Sequence, residues 1–385
     1  MSKQLKPQIR FKGFEDEWIS KSLSLPEFTI IAGGDIDKIR LKENGKYPVI
    51  ANALTGDGVM GYYNDYFRIE APAVSITGRG EVGVAIPRRQ NFTPVVRLLA
   101  LTSPNDIDFT SNAINKHPKI LESTGVPQLT VPKLQSYEIA FANKDEQKCV
   151  GSFFRKIDLL IADTDREIGR LEKMKQASLQ KMFPRPGTTT PEIRFSGFTE
   201  PWKLRSVGDM FSEGTSRGGY DNLLSVSIND GVYPTTDFIK THTVKSFSNY
   251  KNVHKHDIVY NSMRMWQGAS GVSYWDGIVS PAYTVLCPKE DVYSPFMGYY
   301  FKIGWVIKIF ELNSQGLTKD TWNIKYPAIS LLEFYVPKDL KEQQAIAEYF
   351  RNLDSVISSK RQKLAKLRQI KQACLDKMFV NATEP

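Results

Sequence analysis

Arg79 stands in Thr77-Gly78-Arg79-Gly80-Glu81-Val82-Gly83, a glycine-rich turn in which little blocks the approach of its guanidinium to a ligand. Arg264 and Gln267 stand in Ser262-Met263-Arg264-Met265-Trp266-Gln267-Gly268, at the equivalent place 185 residues on. Arginine pairs bidentately with guanine, and glutamine with adenine, in the major groove of DNA. At least half of protein–DNA hydrogen bonds go to the sugar-phosphate backbone. The same arginines therefore also read as phosphate contacts, or as ordinary surface charges. Arg88-Arg89, after Pro87, reads as a phosphate anchor or as a solvated loop. Trp266 reads as core packing rather than as a wedge between bases.

Other chemistry finds little support. There is no Gly-x-x-x-x-Gly-Lys-Ser/Thr loop and no Gly-x-Gly-x-x-Gly opening a helix. The Asn/Asp-Pro-Pro-aromatic signature of adenine methyltransferases is missing. Gly33-Gly34-Asp35 is turn-like and weak as a phosphate cradle. Of the four histidines, His117, His242, His254 and His256, the last two could in principle hold a metal, but no cysteine or carboxylate cluster accompanies them. Cys149, Cys287 and Cys374 have no metal-ligand or redox spacing and read as reduced thiols. No stretch approaches the roughly 18 apolar residues of a membrane helix, and the N-terminus lacks a signal peptide's apolar core. A soluble cytosolic protein without a bound metal is the expectation.

The elements that must position these loops are written twice. Pro7-Gln8-Ile9-Arg10-Phe11-Lys12-Gly13-Phe14-Glu15-Asp16-Glu17-Trp18 returns as Pro191-Glu192-Ile193-Arg194-Phe195-Ser196-Gly197-Phe198-Thr199-Glu200-Pro201-Trp202, with seven of twelve positions identical. Residues 146–183 align without a gap on 342–379, repeating Glu-Gln at the start and Lys-Met-Phe at the end. Within them Phe154, Ile157, Ile161, Thr164, Ile168, Leu171 and Lys175 follow alternating four- and three-residue steps. Phe350, Leu353, Ile357, Lys360, Leu364, Leu367 and Lys371 do the same. That spacing predicts two long helices with an apolar seam that pair with each other, each reaching roughly 57 Å. Polar residues in the seam, such as Thr164 and Lys175, cost stability and fix register. Pro184-Arg185-Pro186-Gly187 ends the first helix and begins a linker over 184–191.

The blocks 1–145 and 192–341 contain short strand-like runs, Tyr47–Ile50, Ala73–Ile76 and Asp257–Tyr260 among them, divided by Gly, Asn, Asp and Pro clusters. Their common frame drifts, from an offset of 185 at Arg79 and Arg264 to 191 at Ser123-Thr124-Gly125 and Ser314-Gln315-Gly316. Two domains with one fold and two specificities would look like this. The net charge is +9, but the helical segments hold most of it and leave the globular blocks at +2. Phosphate-driven binding by the isolated chain should therefore be weak.

In their duplicated order these motifs resemble the specificity subunit of type I restriction–modification systems, over essentially the whole chain. The resemblance implies an α+β fold: two target-recognition domains of mixed α/β fold, 1–145 and 192–341, joined by two long antiparallel coiled-coil helices, 146–183 and 342–385 with its tail, in pseudo-twofold symmetry. It implies a non-catalytic subunit that reads a bipartite target in double-stranded DNA. Modification subunits that methylate adenine and restriction subunits that translocate and cut DNA would be its partners. S-adenosylmethionine, ATP and Mg would belong to those partners, with no cofactor in this chain. The competing readings are a coiled-coil scaffold with twin protein-binding domains, and a self-contained DNA methyltransferase, disfavoured by the missing motif.

Overall fold

The computed structural model describes residues 5–119, 127–220, 222–235 and 247–380, and the chain falls into two units, Met1–Arg166 with Arg361–Pro385 and Glu167–Lys360. Ser123-Thr124-Gly125, His242 and residues 381–385 of the expected tail lie outside the described residues.

In the first unit the strand-like runs become β1 (Ile19–Ser22), β2 (Thr29–Ala32), β3 (Tyr47–Ile50), β4 (Val59–Tyr63), β5 (Ala73–Thr77), β6 (Ala85–Arg88), β7 (Thr93–Pro94) and β8 (Leu98–Thr102). Then come α1 (Ile107–Lys116), α2 (Val131–Gln135), β9 (Glu138–Phe141) and the long helix α3 (Lys144–Lys181), whose residues from Glu167 on belong to the second unit. The main sheet has the order β2-β8-β5-β6; β4-β3-β7 form a second sheet and β1 pairs with β9. Every residue of β5 is buried, as the central strand of a sheet covered on both faces must be.

The second unit repeats this plan with different lengths. It contains β10 (Lys203–Ser206), α4 (Val207–Met210), β11 (Phe211–Glu213), β12 (Leu224–Ser227), β13 (Gly231–Pro234), β14 (Lys251–Val253), β15 (Ile258–Asn261), β16 (Ser270–Val272), β17 (Gly277–Val279) and β18 (Tyr283–Pro288). After them come α5 (Ser294–Tyr300), α6 (Gly304–Leu312), α7 (Tyr326–Ile329), β19 (Glu333–Val336) and α8 (Leu340–Met378), whose residues from Arg361 on belong to the first unit. Its main sheet, β11-β18-β15-β16, matches β2-β8-β5-β6 strand for strand, and β10 pairs with β19 as β1 does with β9.

Both helices start slightly before the expected positions and end two residues short of Phe183 and one short of Phe379. Asn143 accepts from the Glu146 amide at 2.9 Å and caps α3. Phe183 is 1% exposed and turns into the core beside Trp202 and Phe296, and Pro184 then blocks continuation. In the first unit Asp158 pairs with Lys371 at 2.6 Å and Asp165 with Arg368 at 3.7 Å. In the second, Glu167 pairs with Lys360 at 2.7 Å and Lys175 with Asp354 at 2.5 Å. Rising numbers on one helix meet falling numbers on the other, so the pairing is antiparallel. The expected seam is inward: Phe154, Ile157, Ile168, Phe350, Leu353, Ile357 and Leu364 are buried, and Ile161, Leu171 and Leu367 partly so.

The repeated motifs lock each domain to its helices. Arg10 donates to both oxygens of Glu146, at 2.8 and 2.7 Å, and the Trp18 indole donates to the same carboxylate at 3.0 Å. Arg194 and Trp202 do the same to Glu342, at 2.8, 2.7 and 3.1 Å. The bond to the carboxylate raises the pKa of each arginine. Gln147 accepts from the Asp106 amide and Gln343 from the Tyr293 amide, at the residues capping α1 and α5.

Candidate nucleic-acid interface

Each main sheet ends its central strand in one of the two arginine loops. In the first unit Gly78 follows β5, where its amide donates to Arg97 O at 2.9 Å and its carbonyl accepts from the Leu129 amide at 2.9 Å. A Cβ there would lie 2.4 Å from Arg97 O, so only glycine fits between these strands. Asn52 fixes the next step: its Oδ1 accepts from the amides of Gly78 and Arg79, at 2.8 and 3.3 Å, and its Nδ2 donates to Arg79 O at 2.7 Å. The backbone of Arg79 is thus held on three sides. Its guanidinium has no hydrogen-bond or ion-pair partner among the described residues. It lines a cleft of about 400 Å³ together with Asn52, Thr55, Glu81 and Arg97.

The second unit builds the same place differently. The Ile324 amide donates to Ser262 O at 2.9 Å, the counterpart of Leu129 on Gly78; each donor lies two residues before a short proline-bearing helix, α7 or α2. Met263 and Arg264 follow, exposed, and Gln267 is exposed as well. Neither the Arg264 guanidinium nor the Gln267 amide has a partner among the described residues. Trp266 is not core. It is half-exposed, with its ring edge-on to Trp322 and Lys319 above both rings at 5.9 and 5.8 Å. The buried residue is its neighbour Met265, which opens the short helical turn Met265–Gln267.

Arg88 and Arg89 depart from the expectation of a phosphate anchor. Arg88 is 6% exposed; it donates to Ser75 Oγ at 2.8 Å and pairs with Asp57 at 2.8 Å. Lying in β6 beside the fully buried β5, it faces the sheet interior, and burial lowers its pKa. Arg89 is more open but is paired with Asp108 at the start of α1. The enclosed Arg88 guanidinium holds the domain together and is not free to meet a phosphate, whereas Arg89 stays exposed at the surface.

Sequence reasoning missed Arg97, Asn52 and the Lys319–Trp322 pair. Arg97 lies in an apolar run, and nothing in that run announces its φ of +75°. Lys319 and Trp322, three residues apart in Lys-Asp-Thr-Trp, were a usable signal, because basic and aromatic side chains together suit nucleic acid. His254 and His256 gather no metal set: among the described residues no group of three His, Cys, Asp or Glu side chains is arranged to hold a metal ion. Among those residues, too, no helix is long and apolar enough to cross a membrane.

Two domains of one plan, each held to the long helices by the same contacts and each ending its central strand in an arginine loop, define a two-domain protein made by duplication. A family model for the type I restriction modification DNA specificity domain matches residues 22–173 and 199–369, and the chain belongs to that family. A protein of Mycoplasma pneumoniae (strain ATCC 29342 / M129 / Subtype 1), named as a type I specificity subunit, is 22% identical over 167 residues. That match covers 42% of this chain and 49% of the other, so the chain spans about half the length of the curated relative it matches. The crystal structure of the S subunit of a type I restriction–modification system from M. genitalium has the same fold, with a TM-score of 0.67 at 15% identity, over 98% of this chain and 100% of that one.

Proposed function

We propose that this chain is the sequence-specific DNA-recognition subunit of a type I restriction–modification complex, each domain reading one half of a bipartite double-stranded target. The observation that carries the reading is the matched pair of loops. Arg79 in one domain and Arg264 with Gln267 in the other stand at the exit of the same central strand, held by backbone bonds and left without side-chain partners among the described residues. Groups of this kind suit base edges, and the difference between the loops suits two different half-sites. Arg97, Lys319 and Trp322 would add backbone and stacking contacts around them.

The subunit itself would be non-catalytic and cytoplasmic. Adenine methylation with S-adenosylmethionine would belong to modification subunits, and ATP- and Mg-dependent translocation and cleavage to restriction subunits. Exposed apolar residues off the seam favour protein partners at both units: Leu160 and Val356, like Met174 and Ile370, occupy matching positions of the two helices and are 42–48% exposed. The test is methylation mapping of genomic DNA from cells with and without this chain. A split, adenine-containing motif should vanish on deletion; a methylation pattern unchanged by deletion would refute the proposal.

A further inference from the structure

Both arginine loops close on a glycine in the left-handed region, Gly83 at φ +75° and Gly268 at φ +85°. In each domain the carbonyl of that glycine is taken by a lysine ammonium. Lys119, three residues past the end of α1, donates to Gly83 O at 2.5 Å and to Ile114 O at 3.2 Å. Lys302, two residues past the end of α5, donates to Gly268 O at 2.6 Å and to Ile228 O at 3.1 Å. Lys119 is exposed as a residue but turns its charged end inward onto these carbonyls. Among the described residues no carboxylate pairs with either ammonium. Desolvation lowers both pKa values to about 8.

Such an arrangement is unfavourable for a lysine, whose compact charge is strongly hydrated when free. What it provides is a fixed backbone: a charge-assisted bond at the closing residue of a loop whose other end is held by the sheet. The two lysines are not sequence equivalents. Counted from the α-helix caps Asp106 and Tyr293, they lie thirteen and nine residues on. Two domains with different loops and different spacings nevertheless arrive at the same contact on the same closing glycine.

We infer that Lys119 and Lys302 are positioning residues for recognition, each fixing the arginine loop of its own domain in the shape that meets DNA. This rests on the reading that the Arg79 and Arg264 loops contact the two half-sites. Lys119→Met and Lys302→Met keep the length of the side chain and remove the donor, so the fold should hold; Lys→Leu at either site, which also lacks a donor, provides the same comparison if a methionine variant does not fold.

Two measurements test the inference on the full chain. Hydrogen–deuterium exchange over 78–84 should rise about tenfold in Lys119→Met, and over 263–269 in Lys302→Met, as a charge-assisted bond is lost. In cells expressing each variant with its modification subunits, the methylated genomic motif should relax in one half only, a different half for each lysine. Lys→Arg, which keeps a donor, should preserve both. Unchanged loop exchange, or both halves relaxing together in either variant, would overturn the inference. Arg79→Ala and Arg264→Ala separate it from its premise. If they leave the motif untouched, recognition by these loops fails; if they relax it while the methionine variants do not, the positioning role alone fails.

Discussion

Glu146 and Glu342 are the residues on which each domain depends most directly. Each is almost fully buried and bears three hydrogen bonds, from an arginine and a tryptophan eight residues apart in the opening motif. Removing one partner of a buried charged pair strands the other, at a cost of about 3–5 kcal/mol. Glu146→Ala should therefore destabilise the first unit by about 3 kcal/mol, read as an earlier urea transition in tryptophan fluorescence; a loss below about 1 kcal/mol would place the pair with ordinary surface bridges. The motif itself was legible, because Arg10, Trp18 and Glu146 recur together as Arg194, Trp202 and Glu342. Their convergence on one carboxylate was not, since 128 residues separate Trp18 from Glu146. Arg88 shows the reverse case. A basic dipeptide after proline looks like an anion contact, and only the sheet reveals that its guanidinium is enclosed beside Asp57. For the arginines left without partners, Arg79→Ala and Arg264→Ala should each relax one half-site, with discrimination falling by about 1–3 kcal/mol if the contact is bidentate to a base. A uniform drop in affinity across sequences would instead assign them to phosphates.

The helices are the elements that sequence described best. Their seam follows from alternating steps of four and three, and its burial needs no knowledge of the domains. What periodicity could not supply was the partner of each polar seam position. Lys175 and Lys371 reach Asp354 and Asp158 across the pair, so two residues that repeat within one helix copy meet the two that repeat within the other. The lysines are 27% exposed and the aspartates 40–47%, which limits each bridge to roughly 0–1 kcal/mol. Stability should instead come from the aromatics. Phe350→Ala, at a site with no exposure, should cost about 3–5 kcal/mol. Asp158→Lys should cost less than about 1 kcal/mol, and the swap Asp158→Lys with Lys371→Asp should restore it. Chemical denaturation of the three variants checks the ranking. An Asp158 variant as damaging as the phenylalanine one would mean the bridges matter more than their exposure allows.

At the scale of the whole chain the duplication has a consequence for connectivity. In the second unit, Lys181 O at the end of α3 accepts from the Ile193 amide at 2.9 Å, and the chain between them contains the linker 184–191, whose last residue, Pro191, also opens the second motif. In the first unit Lys377 O at the end of α8 accepts from the Ile9 amide at 3.0 Å. This is the same contact, but here no chain connects the two sides. Phe379 completes the likeness by packing on Trp18 and Phe154, as Phe183 packs on Trp202 and Phe350. The linker is therefore not needed to form the junction, since an unlinked junction forms with the same geometry. A circular permutant opened within 184–190 and joined from Pro385 to Met1 should fold. Direct fusion places twelve residues between Phe379 and Pro7, more than the seven that suffice between Phe183 and Pro191, and chain ends that lie close are the usual condition for permutation. With its modification subunits, the permutant should direct methylation of the same genomic motif as the parent chain, and its thermal transition should lie within a few degrees of the parent's. A soluble permutant that methylates a different motif would show that the linker helps set specificity, and one that fails to fold would show that the two junctions, alike in contacts, differ in what they need.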